Sequence, residues 1–113
     1  MDYRVEVTAT VKLPGWHHWP NASPNRYYLG ASHRHMFEVT AAVEVTDPDR
    51  QVEFHDLQDL IRGWWPVDGQ LGSSSCEQIA ASLAALLHDT YGLPVTRVEV
   101  SEDGEASAVL TIL

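Results

Sequence analysis

Basic residues and cysteine are scarce in this sequence. Seven Lys and Arg side chains stand against sixteen Asp and Glu, which gives a formal net charge of −9. No run or face of the chain is basic, so the composition argues against nucleic acid and against an anionic membrane surface as partners. The single cysteine, Cys76, excludes a disulfide within the chain and fits a reducing compartment.

The sequence also lacks a long apolar run and a signal-peptide pattern. No stretch approaches the roughly 20 apolar residues that a membrane-spanning helix needs. Met1 leads directly into a strand-like alternation rather than into a charged and then apolar leader. Because 44% of the residues are hydrophobic, the composition excludes a disordered chain. We expect one folded domain, residues 1–113, in the cytoplasm.

Hydrophobic periodicity predicts the element order ββααββ. Residues 3–13 alternate between apolar and polar side chains, and so do the residues from His35 to Thr46, as in half-buried antiparallel strands. Helical spacing follows in FHDLQDLIRGWW and SSSCEQIAASLAALLHDTYG, and two strands end the chain. We therefore expect an α+β fold in which a four-stranded antiparallel sheet carries two helices on one face. Its open edges favour pairing with identical subunits.

Two local signals refine these boundaries. Ser74 and Glu77 have the spacing of a capping box at the start of the second helix. Asp103 and Gly104 form a pair that suits a two-residue hairpin between the last two strands. The segment PGWHHWPNASPNRYYLGAS, between the first two strands, is rich in Pro, Gly, Asn and aromatics, and we interpret it as a long functional loop.

The stretch ASHRHMFEV places His33 and His35 two residues apart where the second strand begins. Side chains two apart on a strand point to the same side. Three imidazoles with one open position form a common catalytic zinc site. His17 is the expected third ligand if the first strand continues, but Pro14 and Gly15 interrupt that strand and leave His18 as the alternative. The competing interpretation is that these histidines cap the strand end and bond to backbone.

The chain resembles the 6-pyruvoyltetrahydropterin synthase family, which includes the 6-carboxytetrahydropterin synthases. The resemblance rests on the order of the elements together with HRH, VEFHDL, SCEQIA and VSED, and it covers nearly the whole chain. It implies a T-fold whose subunits pair edge to edge into an oligomeric barrel, usually a hexamer built as a dimer of trimers. In such an assembly the sites lie between subunits.

The resemblance also implies roles for individual residues. His17 (or His18), His33 and His35 match the family's zinc ligands, with Arg34 at the position of a family glycine, where an inward-turned guanidinium would repel the metal. Glu102 matches the carboxylate that binds the pterin ring, since two parallel hydrogen bonds suit the ring's adjacent N–H and amine groups. The same edge exists in guanine. Ser75 and Glu77 match a further motif of the family, and the resemblance therefore implies that they bind substrate as well.

The family's catalytic relay is missing from this chain. The stretch RYYLGAS has no cysteine where the family carries its base, and GWWPVDGQLGSS has no Asp-His pair. Tyr27 or Tyr28 is a conceivable substitute base. The expected function is therefore a divergent homologue that binds a pterin-like ligand without authentic synthase activity. One alternative is a zinc-dependent lyase with substituted proton carriers that acts on dihydroneopterin triphosphate or a related pterin. The other is a scaffold protein that assembles into an oligomer and binds no pterin.

Overall fold

The computed structural model describes all residues from Met1 to Leu113. Four strands and two α-helices make up the fold, together with a short 3-10 segment at Pro24–Gly30 and a π-helical turn at Leu86–Thr90. The strands and helices are β1 (Val5–His17), β2 (His33–Val45), α1 (Phe54–Trp64), α2 (Cys76–Ala85), β3 (Val95–Glu102) and β4 (Ala106–Thr111). None of these helices is long and apolar enough to cross a membrane.

The strands form one antiparallel sheet in the order β1-β2-β3-β4. The α+β class and the four-stranded antiparallel sheet predicted from the sequence are thereby confirmed. β1 and β2 pair over their whole length, from Val5 opposite Val45 to His17 opposite His33. β1 and β4 are the edge strands, and β1 is the longer edge at 13 residues.

One face of the sheet carries both helices and the hydrophobic core. Alternate residues of the strands point to this face because side chains reverse direction at each step. The helices cover it with their apolar stripes. The fully buried large side chains are Phe37, Val39, Val43, Leu57, Ile61, Leu83, Leu87, Val98 and Val100. This packing anchors the centre of the sheet and leaves one end of β1 and β2 to carry polar side chains.

The capping box of α2 is shifted by one residue from the predicted position. The N-cap is Ser75, whose hydroxyl accepts a hydrogen bond from the backbone N–H of Gln78, while the Gln78 side chain accepts one from the Ser75 N–H. The prediction of Ser74 with Glu77 was wrong because three consecutive serines offer the same local signal. The carbonyl of Ser74 is instead bonded to an imidazole.

β1 runs four residues beyond its predicted end, through Pro14 and Gly15 to His17. Pro14 is tolerated because β1 is an edge strand, where a missing N–H need not break a ladder. Residues 69–72 bind the far side of this extension: Trp16 N–H donates to Gly69 O at 2.8 Å, and His18 N–H to Gly72 O at 3.0 Å. The first four residues of the predicted loop are therefore strand.

Gly15 permits the extension to pack against the core. A methyl group at this position would lie 2.9 Å from side-chain atoms of Phe37, Trp65 and Leu71. Trp65 also donates a hydrogen bond from its indole N–H to the Pro14 carbonyl at 3.0 Å. The absence of a side chain at Gly15 therefore allows two aromatic rings to hold the end of β1 in place.

The β3–β4 connection has three residues, not the two that were predicted. Glu102 pairs with Ala106, and Glu105 N–H donates to Glu102 O at 3.0 Å. Asp103 and Gly104 both have positive φ, 56° and 69°, in the left-handed region that Gly, Asn and Asp tolerate best. The added residue lets the Asp103 side chain fold back toward β2.

Candidate metal centre

The structure brings His17, His33 and His35 together on one face of the sheet. His17 and His33 are direct partners across the β1–β2 pair, and His35 is two residues further along β2. One ring nitrogen from each of the three lies within 4.8 Å of the others. His17 is buried, and the other two are half-buried. This is the arrangement that the sequence pattern predicted for ligands, and the continued β1 selects His17.

Each imidazole has its Nδ1 occupied by an acceptor. His17 Nδ1 lies 2.9 Å from Ser74 O, and His33 Nδ1 lies 2.9 Å from Ala31 O. His35 Nδ1 lies 2.7 Å from a carboxylate oxygen of Asp103. Since carbonyl and ionised carboxylate oxygens only accept, each Nδ1 carries a proton and donates it. In neutral imidazoles this leaves the Nε2 lone pairs free, which is the state in which histidines ligate metals.

Two of the three Nε2 atoms, those of His17 and His35, face the Glu102 carboxylate. His35 Nε2 is buried without a hydrogen-bond partner, although Glu102 Oε2 is 3.5 Å away. His17 Nε2 is 3.3 Å from Glu102 Oε1. Lone pairs of neutral imidazoles and of a carboxylate repel one another unless a proton or a metal cation lies among them. Nitrogen and oxygen donors of this kind fit a zinc ion, for which three histidines are a common set.

Arg34 lies outside this cluster. Its guanidinium carbon is 5.5 Å from the centroid of the Trp16 ring. Trp16 is the residue directly opposite Arg34 in the β1–β2 pair. Alternation along β2 directs Arg34 away from the side that His33 and His35 share. The repulsion between a guanidinium and a metal, which the sequence left open, is therefore avoided in this arrangement.

Two alternatives raised by the sequence fall outside the cluster. His18 is not among the three histidines that lie together, although it lines the adjoining cavity. Tyr27 and Tyr28 lie in the 3-10 segment with exposed side chains and do not line that cavity. Neither tyrosine is thus positioned as a base beside the histidines.

A cavity of about 300 Å³ opens beside the histidines. The implied substrate-binding residues Glu102, Ser75 and Glu77 all line it. His17 and His33 form part of the same wall, and Trp19 contributes an indole that is nearly half exposed. The rest of the wall comes from the N-terminus of α2 and the start of β4. Two of the three candidate metal ligands therefore share one cavity with the candidate ring-binding carboxylate, and the third, His35, has its Nε2 3.5 Å from that carboxylate.

Cys76 is a cavity residue that sequence reasoning placed only in the helix cap. Its thiol donates a hydrogen bond to Glu102 Oε1 at 3.3 Å. Burial raises the pKa of the thiol to about 12, and the nearby Glu102 carboxylate adds to the shift. The two residues are 26 positions apart, so no local pattern could have predicted their contact. A protonated thiol in this position is a proton donor rather than a base.

Asp103 is the second residue whose role the sequence did not indicate. One carboxylate oxygen bonds His35 Nδ1, and the other accepts the backbone N–H of Met36 at 2.8 Å. The hydrogen bond from His35 holds the pKa of the Asp103 carboxyl below its usual range. The sequence had indicated Asp103 only as a turn residue beside Gly104. Asp103 fixes both the orientation and the tautomer of His35.

Comparisons with known proteins add information on the fold alone. No protein-family model matches the sequence, and no curated protein does. The crystal structure of an uncharacterised protein from Wolinella succinogenes is similar to the chain, with a TM-score of 0.73 and 13% sequence identity. The match covers 97% of this chain and 99% of the other. The shared architecture is thus independent of close sequence similarity.

Proposed function

We propose that this protein is a divergent member of the 6-pyruvoyltetrahydropterin synthase family that binds zinc and a pterin-like ring. The observation that carries the proposal is the shared cavity, whose wall includes the Glu102 carboxylate and two imidazoles with fixed Nδ1–H groups. The third imidazole, His35, also has a fixed Nδ1–H group, and its Nε2 is 3.5 Å from Glu102 Oε2. An enclosed set of nitrogen donors beside a hydrogen-bond acceptor suits a metal and a flat heterocycle bound side by side.

His17, His33 and His35 would hold the metal. When bound, zinc supplies a Lewis acid that polarises oxygen atoms of a ligand. Three separate segments support the three ligands, namely the residue before the α2 N-cap (Ser74), the loop before β2 (Ala31) and the β3–β4 hairpin (Asp103). Because these hydrogen bonds hold the imidazoles in place, the ligands are preorganised and the loss of side-chain entropy on metal binding is small.

Glu102 would recognise the ring. A carboxylate accepts two parallel hydrogen bonds from an N–H and an adjacent amine, which fixes the ring in one orientation. Ser75 and Glu77 lie on the neighbouring wall, and Trp19 offers an aromatic surface for stacking. The cavity volume of about 300 Å³ is at the lower end of the range for small-molecule sites.

The proposed assembly is the T-fold barrel of the family, a homohexamer built from two trimers. Its support is the pair of open edges at β1 and β4, which association with identical subunits would cover. The candidate cavity is bordered by Ala106, Ser107 and Ala108 of the edge strand β4. A neighbouring subunit paired at that edge would close the cavity from outside and complete the ligand site.

Binding without synthase turnover is the favoured outcome, because the chain lacks the family's cysteine base and its Asp-His pair. A zinc-dependent lyase acting on dihydroneopterin triphosphate or a related pterin is the second candidate. The observation in its favour is the Cys76 thiol, which donates to Glu102 inside the same cavity. Burial keeps this thiol protonated, so in such an enzyme Cys76 would be a hydrogen-bond donor in the cavity rather than a base.

Calorimetric titration of the zinc-loaded protein with neopterin tests ring binding. We expect saturable binding that Glu102→Gln weakens by tenfold or more, since the amide offers one acceptor where the carboxylate offers two. Glu105→Gln, in the same hairpin but away from the cavity, is the charge-matched control and should leave the affinity unchanged. Equal affinities of the wild type and Glu102→Gln would contradict the assignment. Product formation from dihydroneopterin triphosphate would favour the lyase.

A further inference from the structure

We infer that Glu102 is also the fourth metal ligand, so that metal and ring compete for one carboxylate. This inference rests on the proposed function and adds a coupling between its two ligands. It assigns to Glu102 two partners in turn: the metal when the cavity is empty, and the ring when a ligand is bound. Without a ring ligand, Glu102 would fill the fourth position on the metal. With the ring bound, that position would be free.

The position of the carboxylate supports ligation. Both oxygens of Glu102 face the histidines: Oε1 lies 3.3 Å from His17 Nε2, and Oε2 lies 3.5 Å from His35 Nε2. In a tetrahedral zinc site the donor atoms are separated by roughly 3.4 Å. The distances from Glu102 to the two imidazoles already match that separation. The side chain is about 70% buried, with 30% of its surface exposed, so water does not screen these contacts fully.

The backbone explains how Glu102 comes to this position. Glu102 is opposite Phe37 in the β2–β3 pair, and Phe37 is two residues from His35 on the same face of β2. Glu102 is therefore a diagonal neighbour of His35 across the strands. The Asp103 contact to His35 and Met36 fastens the end of β3 to the start of β2. Both carboxylates therefore serve the same imidazole, Asp103 at Nδ1 and Glu102 on the Nε2 side.

One carboxylate cannot satisfy both partners at the same time. Two parallel hydrogen bonds to a ring require both oxygens to point to the cavity, whereas both now point to the imidazoles. Rotation toward the ring would take a donor from the metal. Because coupling between two ligands is reciprocal, the ring must weaken metal affinity by the same factor by which the metal weakens ring affinity.

The first experiment compares zinc affinities, measured by competition with a fluorescent chelator. Glu102→Gln should bind zinc at least about tenfold more weakly than the wild type, since even outer partners of a ligand cost 10–100-fold. Glu105→Gln removes the same charge from the hairpin and should bind like the wild type. If Glu102→Gln and the wild type bind zinc equally well, the ligation is overturned while the proposed metal site stands. If the wild type binds no zinc, the proposed metal site itself fails.

The second experiment repeats the zinc titration at saturating unsubstituted pterin, which has no side-chain hydroxyls to ligate metal. We expect the wild-type zinc affinity to fall about fivefold or more, within the usual range of coupling between sites. In Glu102→Gln the pterin should leave zinc affinity unchanged. Unchanged or tighter zinc binding by the wild type with pterin bound would overturn the competition. Failure of pterin to bind at all would count against the proposed ring site and against the competition with it.

Discussion

At the scale of single residues, the candidate centre depends on the groups that bond the ligands as much as on the ligands themselves. Ser74 and Ala31 supply carbonyls to His17 and His33, and these contacts need only backbone. Asp103 is the exception, since its side chain is the acceptor for His35. The sequence predicted the pair His33 and His35 because strand alternation is local, and it offered His17 as the third ligand with His18 as the alternative. It could not predict Asp103, whose partner lies 68 positions away.

Asp103→Asn tests this positioning role. Asn tolerates the left-handed backbone at this position, so the fold should persist. The amide still offers an oxygen to His35 but no charge, and we expect zinc affinity to fall about tenfold by chelator competition. Glu105→Gln is again the matched control. Wild-type zinc affinity in Asp103→Asn would show that His35 is oriented by packing alone.

The Cys76 thiol gives a prediction from its raised pKa. At pH 8 a thiol with a pKa of about 12 is almost entirely protonated, and only the thiolate reacts. Metal-free folded protein should therefore react with iodoacetamide roughly a hundredfold or more slowly than free cysteine. Glu102→Gln removes the charge beside the thiol but not its burial, and should label at an intermediate rate. Labelling of the wild type at the rate of the urea-unfolded chain would contradict the pKa shift.

At the scale of elements, alternation predicted the main pairing of β1 and β2, but not where β1 ends. Pro14 and Gly15 are strand breakers by local rules. Two non-local features override them: the backbone bonds of residues 69–72 to Trp16 and His18, and the packing of Trp65 against Gly15. Neither feature is visible in a window of neighbouring residues. The choice between His17 and His18 therefore required the folded structure.

Gly15→Ala tests the packing that holds the end of β1. The added methyl group would lie 2.9 Å from atoms of three side chains, two of them aromatic rings in the core. Overpacking of this kind costs about 1–3 kcal/mol, or a fall in Tm of roughly 5–15 °C. Gly63→Ala, in α1 with open space around it, is the control and should keep or raise Tm. An unchanged Tm in Gly15→Ala would show that the end of β1 can shift to accommodate the methyl group at little cost in stability.

At the scale of the whole molecule, the sheet has two edges at which backbone groups are open to pairing with another strand. The chain pairs β1, β2, β3 and β4 in sequence order and leaves the outer sides of β1 and β4 without a strand. Edge pairing was predicted from the four strands alone, since the argument needs only their number and length. The shape of the cavity was not predictable, because its wall combines the loop, α2 and β4.

We predict that sedimentation equilibrium will give the native protein the mass of six subunits of 12.6 kDa each. An oligomer that unfolds with dissociation should also show a Tm that rises with protein concentration. Sedimentation as a 12.6 kDa species at micromolar concentration would contradict the T-fold barrel.

The most direct test of the central claim is the zinc content of untagged protein, measured by elemental analysis after purification without chelator. The wild type should hold about one zinc per chain after loading and desalting. His33→Ala, which removes a half-buried ligand that the core does not need, should hold almost none. Equal zinc contents in the two proteins, or no zinc in either, would mean that the three histidines only cap the ends of their strands.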